Sequence, residues 1–95
     1  MSLLSIPLPS TLTASEARET LTQLAAAIAK HDGSQVHIDA SALKQFNSAA
    51  IAVLLECSRL ARGVGKACLI TQAPAKLTAL VALYGLDELL PAVAS

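Results

Sequence analysis

Apolar residues recur along this chain in two rhythms, one of period two and one near 3.6, and the switches between them mark out the elements. Leu3–Leu8 is a short Leu/Ile run broken by Pro7. A proline has no N–H to give a ladder, so the run predicts an edge strand at the margin of a sheet. Thr13-Ala14-Ser15-Glu16 fits a capping box, in which the hydroxyl and the carboxylate satisfy orphan amides at a helix start. Ala17, Leu21, Leu24, Ala25 and Ile28 follow at helical spacing, with Arg18, Glu19, Thr22 and Gln23 outside that stripe. The pattern predicts an amphipathic helix that stops before Asp32-Gly33.

Gln35–Ala40 is short, β-branched at Val36 and Ile38 and bounded by turn residues, which predicts an interior strand. Ser41–Asn47 reads as a connecting loop, Ser48–Arg62 as a second helix closed by Gly63 and Gly65, and Ala67–Thr71 as another strand. Pro74 occupies a favoured first helical position, Leu77, Leu80, Val81 and Tyr84 form the stripe of a third helix, and Gly85 is placed to end it. Leu86–Leu90 adds a further turn before an Ala/Ser tail. Strands alternating with helices imply βαβ crossovers, so the class is α/β: a small parallel or mixed sheet with helices against it.

The second helix is apolar on more than one side. Ile51, Leu54, Leu55 and Ser58 define one face; Ala49, Val53, Cys57 and Leu60 recur on another, leaving a narrow polar stripe around Ala52, Glu56 and Arg59. An ordinary surface helix needs only one apolar face. Either a neighbouring helix covers the second, or it belongs to a partner-binding surface.

Composition narrows the function. A chain of 95 residues is sized for one domain, and 54% apolar with 15% charged residues excludes intrinsic disorder. Aromatic residues are 2%, so the core is aliphatic. Seven basic residues balance seven acidic ones, which leaves no electrostatic footprint for nucleic acid and no polybasic patch for a membrane. The opening residues carry no basic stretch before Pro7 and Pro9, and the longest apolar run, Ala49–Leu55, falls far short of the roughly 18 residues that a spanning helix requires. A cytoplasmic location is expected. Cys57 and Cys68 sit in apolar surroundings with no ligand spacing and read as buried thiols.

No phosphate loop, dinucleotide fingerprint or metal-ligand spacing occurs, so neither a cofactor nor catalysis is expected. His31 follows a helix at a turn and His37 alternates with apolar strand residues; both read as structural or surface groups. Asp39, at a strand end, suits tying down loop amides. Ser48 invites the closest look. It opens the second helix after a sheet-to-helix loop, where a hydroxyl serves as an N-cap, as a candidate phosphorylation site favoured by the helix dipole, or as a partner contact.

Several of these segments together resemble a STAS domain. The strand ending in Asp39-Ala40-Ser41 is similar to the family's Asp-Leu-Ser. The helix start Phe46-Asn47-Ser48-Ala49-Ala50 and the run Leu83-Tyr84-Gly85-Leu86 complete the pattern, over Val36–Pro91. Leu60-Ala61-Arg62 before a glycine, together with Leu90-Pro91, is most like the STAS subunits of Mla phospholipid transporters. The resemblance implies a non-catalytic module that binds an MlaF-like ABC ATPase, peripheral to the inner membrane, supporting transport that keeps the Gram-negative outer membrane asymmetric. It also implies a partner-binding surface at Asn47, Ser48, Ala49 and Ala50, with Val53 on the adjoining apolar face. The alternative it carries is an anti-sigma factor antagonist switched by an anti-sigma kinase at Ser48. Members of that kind usually place Asp-Ser-Ser-Gly where this chain has Asn47-Ser48-Ala49-Ala50, so the acidic neighbour and the second serine are missing. One strand is expected before the first helix where many members have two.

Overall fold

The computed structural model describes residues 4–85. Its elements run β1 (Leu4–Pro7), β2 (Thr11–Leu12), α1 (Ala14–Lys30), β3 (Gln35–Asp39), β4 (Gln45–Phe46), α2 (Ser48–Gly63), β5 (Ala67–Thr71) and α3 (Ala75–Leu83). The main sheet has the order β1-β3-β5 and is parallel throughout, with Leu4 beside Val36 and Val36 beside Cys68. The expected edge and interior strands therefore fall where the prolines and the β-branched residues put them. Pro7 lies at the end of β1, opposite Asp39, on a strand paired on one side only. Leu3, the turn over Leu86–Leu90 and the tail lie outside the described residues.

Two short elements correct the sequence reading. A second strand, β2, does precede α1, and the segment Ser41–Asn47 is not wholly loop, because Gln45 and Phe46 pair with Thr11 and Leu12 in a parallel two-residue ladder. The Lys44 and Gln45 amides both donate to the Ser10 carbonyl, at 2.8 and 2.9 Å. A ladder of two residues has no period to detect; its partners are set by the path of the chain rather than by local pattern.

Val36, Ile38, Cys68 and Ile70 point into a single core shared with Leu24 and Ile28 of α1, Ile51, Leu54 and Cys57 of α2, and Leu77 and Val81 of α3. The alternate positions His37, Asp39, Leu69 and Thr71 are half-buried, so the helices cover one face of the sheet. Helix α2 buries Ala50, Ile51, Val53, Leu54, Cys57, Ser58 and Ala61. That set spans two faces: α2 packs on β5 on one side and along α1 on the other. The second apolar face is thus buried at Val53 and Cys57, while Ala49 is half-buried and Leu60 stays exposed. At the end of α2, Gly65 takes a φ of +74°, and the Lys66 amide reaches back 2.8 Å to the Ala61 carbonyl. This left-handed closure favours glycine because it has no Cβ to clash.

Helix α1 begins as its capping box requires. The Thr13 amide donates to Glu16 Oε1 at 2.8 Å and the Thr13 hydroxyl donates to the same oxygen at 2.7 Å. Pro74 stands one position earlier than expected, as the N-cap of α3, with its carbonyl accepting from the Leu77 and Thr78 amides.

The Thr13 hydroxyl, and then its amide, hold the Glu16 carboxyl below the usual carboxylate range. A carboxyl lowered on folding contributes stability that is complete above its unfolded pKa and fades as pH falls through the folded one. Urea unfolding between pH 2.5 and 6, as conditions of roughly that span, is expected to show this acid-side loss in the parent and a shallower loss in Glu16→Gln.

Candidate functional site

Strands β1, β3 and β5 run in parallel and each leads towards a helix, so the N-terminal ends of α1, α2 and α3 gather at the carboxyl edge of the sheet. At that edge the start of α2 exposes Asn47 and Ser48. Asn47, with extended backbone, is the N-cap, and its Oδ1 accepts from the Ala49 amide at 2.9 Å. Its carbonyl accepts from the Ala50 amide at 2.9 Å. The capping role considered for Ser48 therefore belongs to Asn47, because an amide oxygen one residue earlier reaches the free N–H first. Ser48 is the first helical residue and is exposed, with its hydroxyl not needed for capping.

The residues grouped around Ser48 separate by burial. Asn47 and Ser48 are exposed and Ala49 is half-buried, whereas Ala50 and Val53 are buried at 0% and 3% exposure. They belong to the core, Val53 facing Ala17, Arg18 and Leu21 of α1 across a shallow apolar groove.

Two features beside the helix tip escaped the sequence. Phe46, immediately before the cap, is buried, and Lys76 Nζ from the first turn of α3 lies 5.3 Å from its ring centroid, within cation–π range. A positive charge thereby stands close to the α2 start. The pair joins residues thirty positions apart, and only the isolated phenylalanine before the cap hinted at an anchor. Gln72, after β5, takes a φ of +56°, a conformation that a non-glycine residue adopts at some cost.

Asp39 does what its place at the strand end suggested. Its Oδ1 accepts from the Ser41 amide at 2.9 Å, and the Ser41 amide and then the Ser41 hydroxyl lower its carboxyl below the ordinary value. It shapes the loop that leads towards α2. His31 Nε2 lies 3.0 Å from the Gln35 carbonyl oxygen, a local tie across the turn, and His37 is half-buried between Ser5 and Leu69 in register. Among the described residues no group of three or more His, Cys, Asp or Glu side chains is arranged to hold a metal, and no helix is long and apolar enough to cross a membrane. Cys57 and Cys68 are buried and free. Burial pushes the Cys57 thiol up to about 12, with smaller contributions from Cys68 and Glu56, and burial pushes Cys68 up to about 11. Neither thiol is a nucleophile at neutral pH.

What this arrangement can do is present a rigid, capped helix end to another molecule. Comparison with known proteins bears on which. The family described as "Mlab, STAS domain" matches residues 4–91. Similar solved structures include an anti-sigma-factor antagonist (STAS) domain protein from Planctomyces limnophilus, at 17% identity and a TM-score of 0.80, covering 96% of this chain and 80% of that one. The anti-sigma factor antagonist SpoIIAA in its unphosphorylated form aligns at 13% identity and 0.76, over 99% of this chain and 80% of its own. The STAS domain of a SulP transporter from Vibrio cholerae aligns at 12% and 0.75, over 98% and 73%. These likenesses show the fold. No curated protein matches the chain.

Replacing the cap, Asn47→Ala, is expected to cost about 1 kcal/mol in urea unfolding, and Asn47→Asp little or nothing, since both carboxylate and amide oxygens cap well. A thiol reagent such as Ellman's is expected to label neither cysteine in the native protein at pH 7.5, and both after unfolding in guanidinium, by absorbance at completion.

Proposed function

The chain belongs to the family of MlaB-type STAS domains, and on that premise we propose that it is a non-catalytic accessory subunit of an Mla-type phospholipid ABC transporter. STAS domains are generally regulatory or interaction modules. In this reading the start of α2 docks on the transporter's ATPase at the cytoplasmic side of the inner membrane. Docking supports assembly and activity, and so the lipid asymmetry of the outer membrane.

The observation that carries the reading is the exposed Ser48 hydroxyl, freed by the Asn47 cap at the tip of a helix whose remaining length is packed into the core. A contact made there is made by a rigid element, so little conformational freedom is lost on binding. The cation of Lys76 beside Phe46 adds a charged flank to the same end. Such a subunit alters the ATPase only by binding one of its states more tightly than another.

The second reading, an anti-sigma factor antagonist switched at Ser48, draws support from the two antagonist structures among the similar folds. Against it stand Asn47 in place of an acidic residue and Ala49 in place of a second serine.

Ser48→Asp separates binding from folding. A carboxylate in the first turn of a helix is favoured by the dipole, so the melting temperature is expected to hold or rise. Affinity for a cognate Mla-type ATPase, measured by isothermal titration calorimetry, is expected to fall at least about tenfold, or about 1.4 kcal/mol. Parental affinity in the variant rejects the helix tip as the docking site. Labelling of Ser48 by a neighbouring anti-sigma kinase, with no ATPase binding at all, favours the second reading.

A further inference from the structure

The main sheet ends at β1, which pairs with β3 and has no strand on its other side among the described residues. Within a strand, successive residues turn their backbone groups to opposite sides, so only alternate positions bond to a given neighbour. The Leu8 amide donates to the Asp39 carbonyl at 2.9 Å, and Pro7 stands opposite Asp39 in the register. These two facts fix the alternation. Leu4, Ile6 and Leu8 turn towards β3, Ser5 and Pro7 turn outward, and Pro9 is the next position of the outward parity. Ser5, Pro7 and Pro9 are all exposed.

A proline at position 6 or 8 would break a ladder bond. At positions 7 and 9 it spares the ladder, and what it removes is a donor that faces away from the sheet. An open edge ordinarily presents a row of N–H and C=O groups that a strand of another chain can pair with. Here the outward row keeps its carbonyls, but of its three positions only Ser5 has an N–H. A strand laid against this edge would bury carbonyls that find no donor, at the full desolvation cost of each, and would meet a proline ring where the N–H should stand.

We propose that Pro7 and Pro9 guard the open edge of the main sheet against strand pairing with a second copy of this chain. The second copy is the occupant to exclude because β1 laid antiparallel on its own twin is a two-fold arrangement, in which each copy meets the same edge. Proline also holds the residue before it extended. That effect would stiffen Ile6 and Leu8 and leave association untouched, so the two roles are separable. The inference concerns β1 and does not rest on the role proposed for α2.

The test is sedimentation equilibrium of the full chain carrying Pro7→Thr and Pro9→Thr, which return both donors on a polar residue that suits a strand. Self-association at least about tenfold tighter than in the parent is expected. The proton–nitrogen correlation spectrum is expected to keep its native pattern, and the amide at position 7 to exchange more slowly with solvent as protein concentration rises. Pro7→Thr alone, a milder change, is expected to give a smaller rise of the same kind. Asn47→Ala, which weakens the fold through a helix cap and leaves β1 intact, is expected to sediment as the parent does. Parental sedimentation in both proline variants overturns the proposal. So does association without protection at position 7, or equal association in Asn47→Ala, either of which traces it to lost stability.

Discussion

Helix α2 is buried from two directions, and most of the molecule's behaviour follows from that. Its seven buried side chains lie against β5 on one side and α1 on the other. Leucine, isoleucine and valine side chains removed from water stabilise by about 1.5–3 kcal/mol each, so this helix cannot leave its place without dissolving the core. Aromatic bulk is nearly absent, and the fit of branched aliphatic groups takes its place. A helix fixed along its length presents its end in a fixed position, and the Asn47 cap frees the next residue from internal duty.

Such an end suits recognition. The two thiols are held protonated by burial, His31 ties a turn through the Gln35 carbonyl, and His37 sits half-buried in the strand register. The groups with perturbed acidity, Glu16 and Asp39, are perturbed by hydrogen bonds that shape a helix start and a loop. Acidity here is shifted in the service of backbone geometry.

Much of this was legible from the order of residues. Long elements announce themselves: the Ala17–Ile28 stripe, the β-branched pair Val36 and Ile38, and the glycines after α2 and α3 each reflect a local rule that tertiary contacts do not overrule. The ladder of Thr11-Leu12 with Gln45-Phe46 was invisible because two residues have no periodicity. The burial of Ala50 and Val53 was left undecided by the sequence for a different reason. A helix apolar on two sides does not declare which side a neighbour covers, and only the docking of α1 decides it. The stacking of Lys76 on Phe46 likewise depends on where α3 lands. The candidate site was thus legible at Asn47 and Ser48, where local capping chemistry governs, and illegible where packing does.

The parallel order β1-β3-β5 has a kinetic side. Paired positions on either side of β3 are 32 residues apart, Leu4 to Val36 and Val36 to Cys68, so no strand of the main sheet meets its neighbour through a hairpin. During synthesis the first strand leaves the ribosome with nothing to pair with until the central one has followed it out. Each ladder of the main sheet needs one wide loop closed before it forms, which slows assembly relative to a helical bundle of equal size. The nascent chain therefore passes through an interval in which β1 is open to chaperones and to premature association.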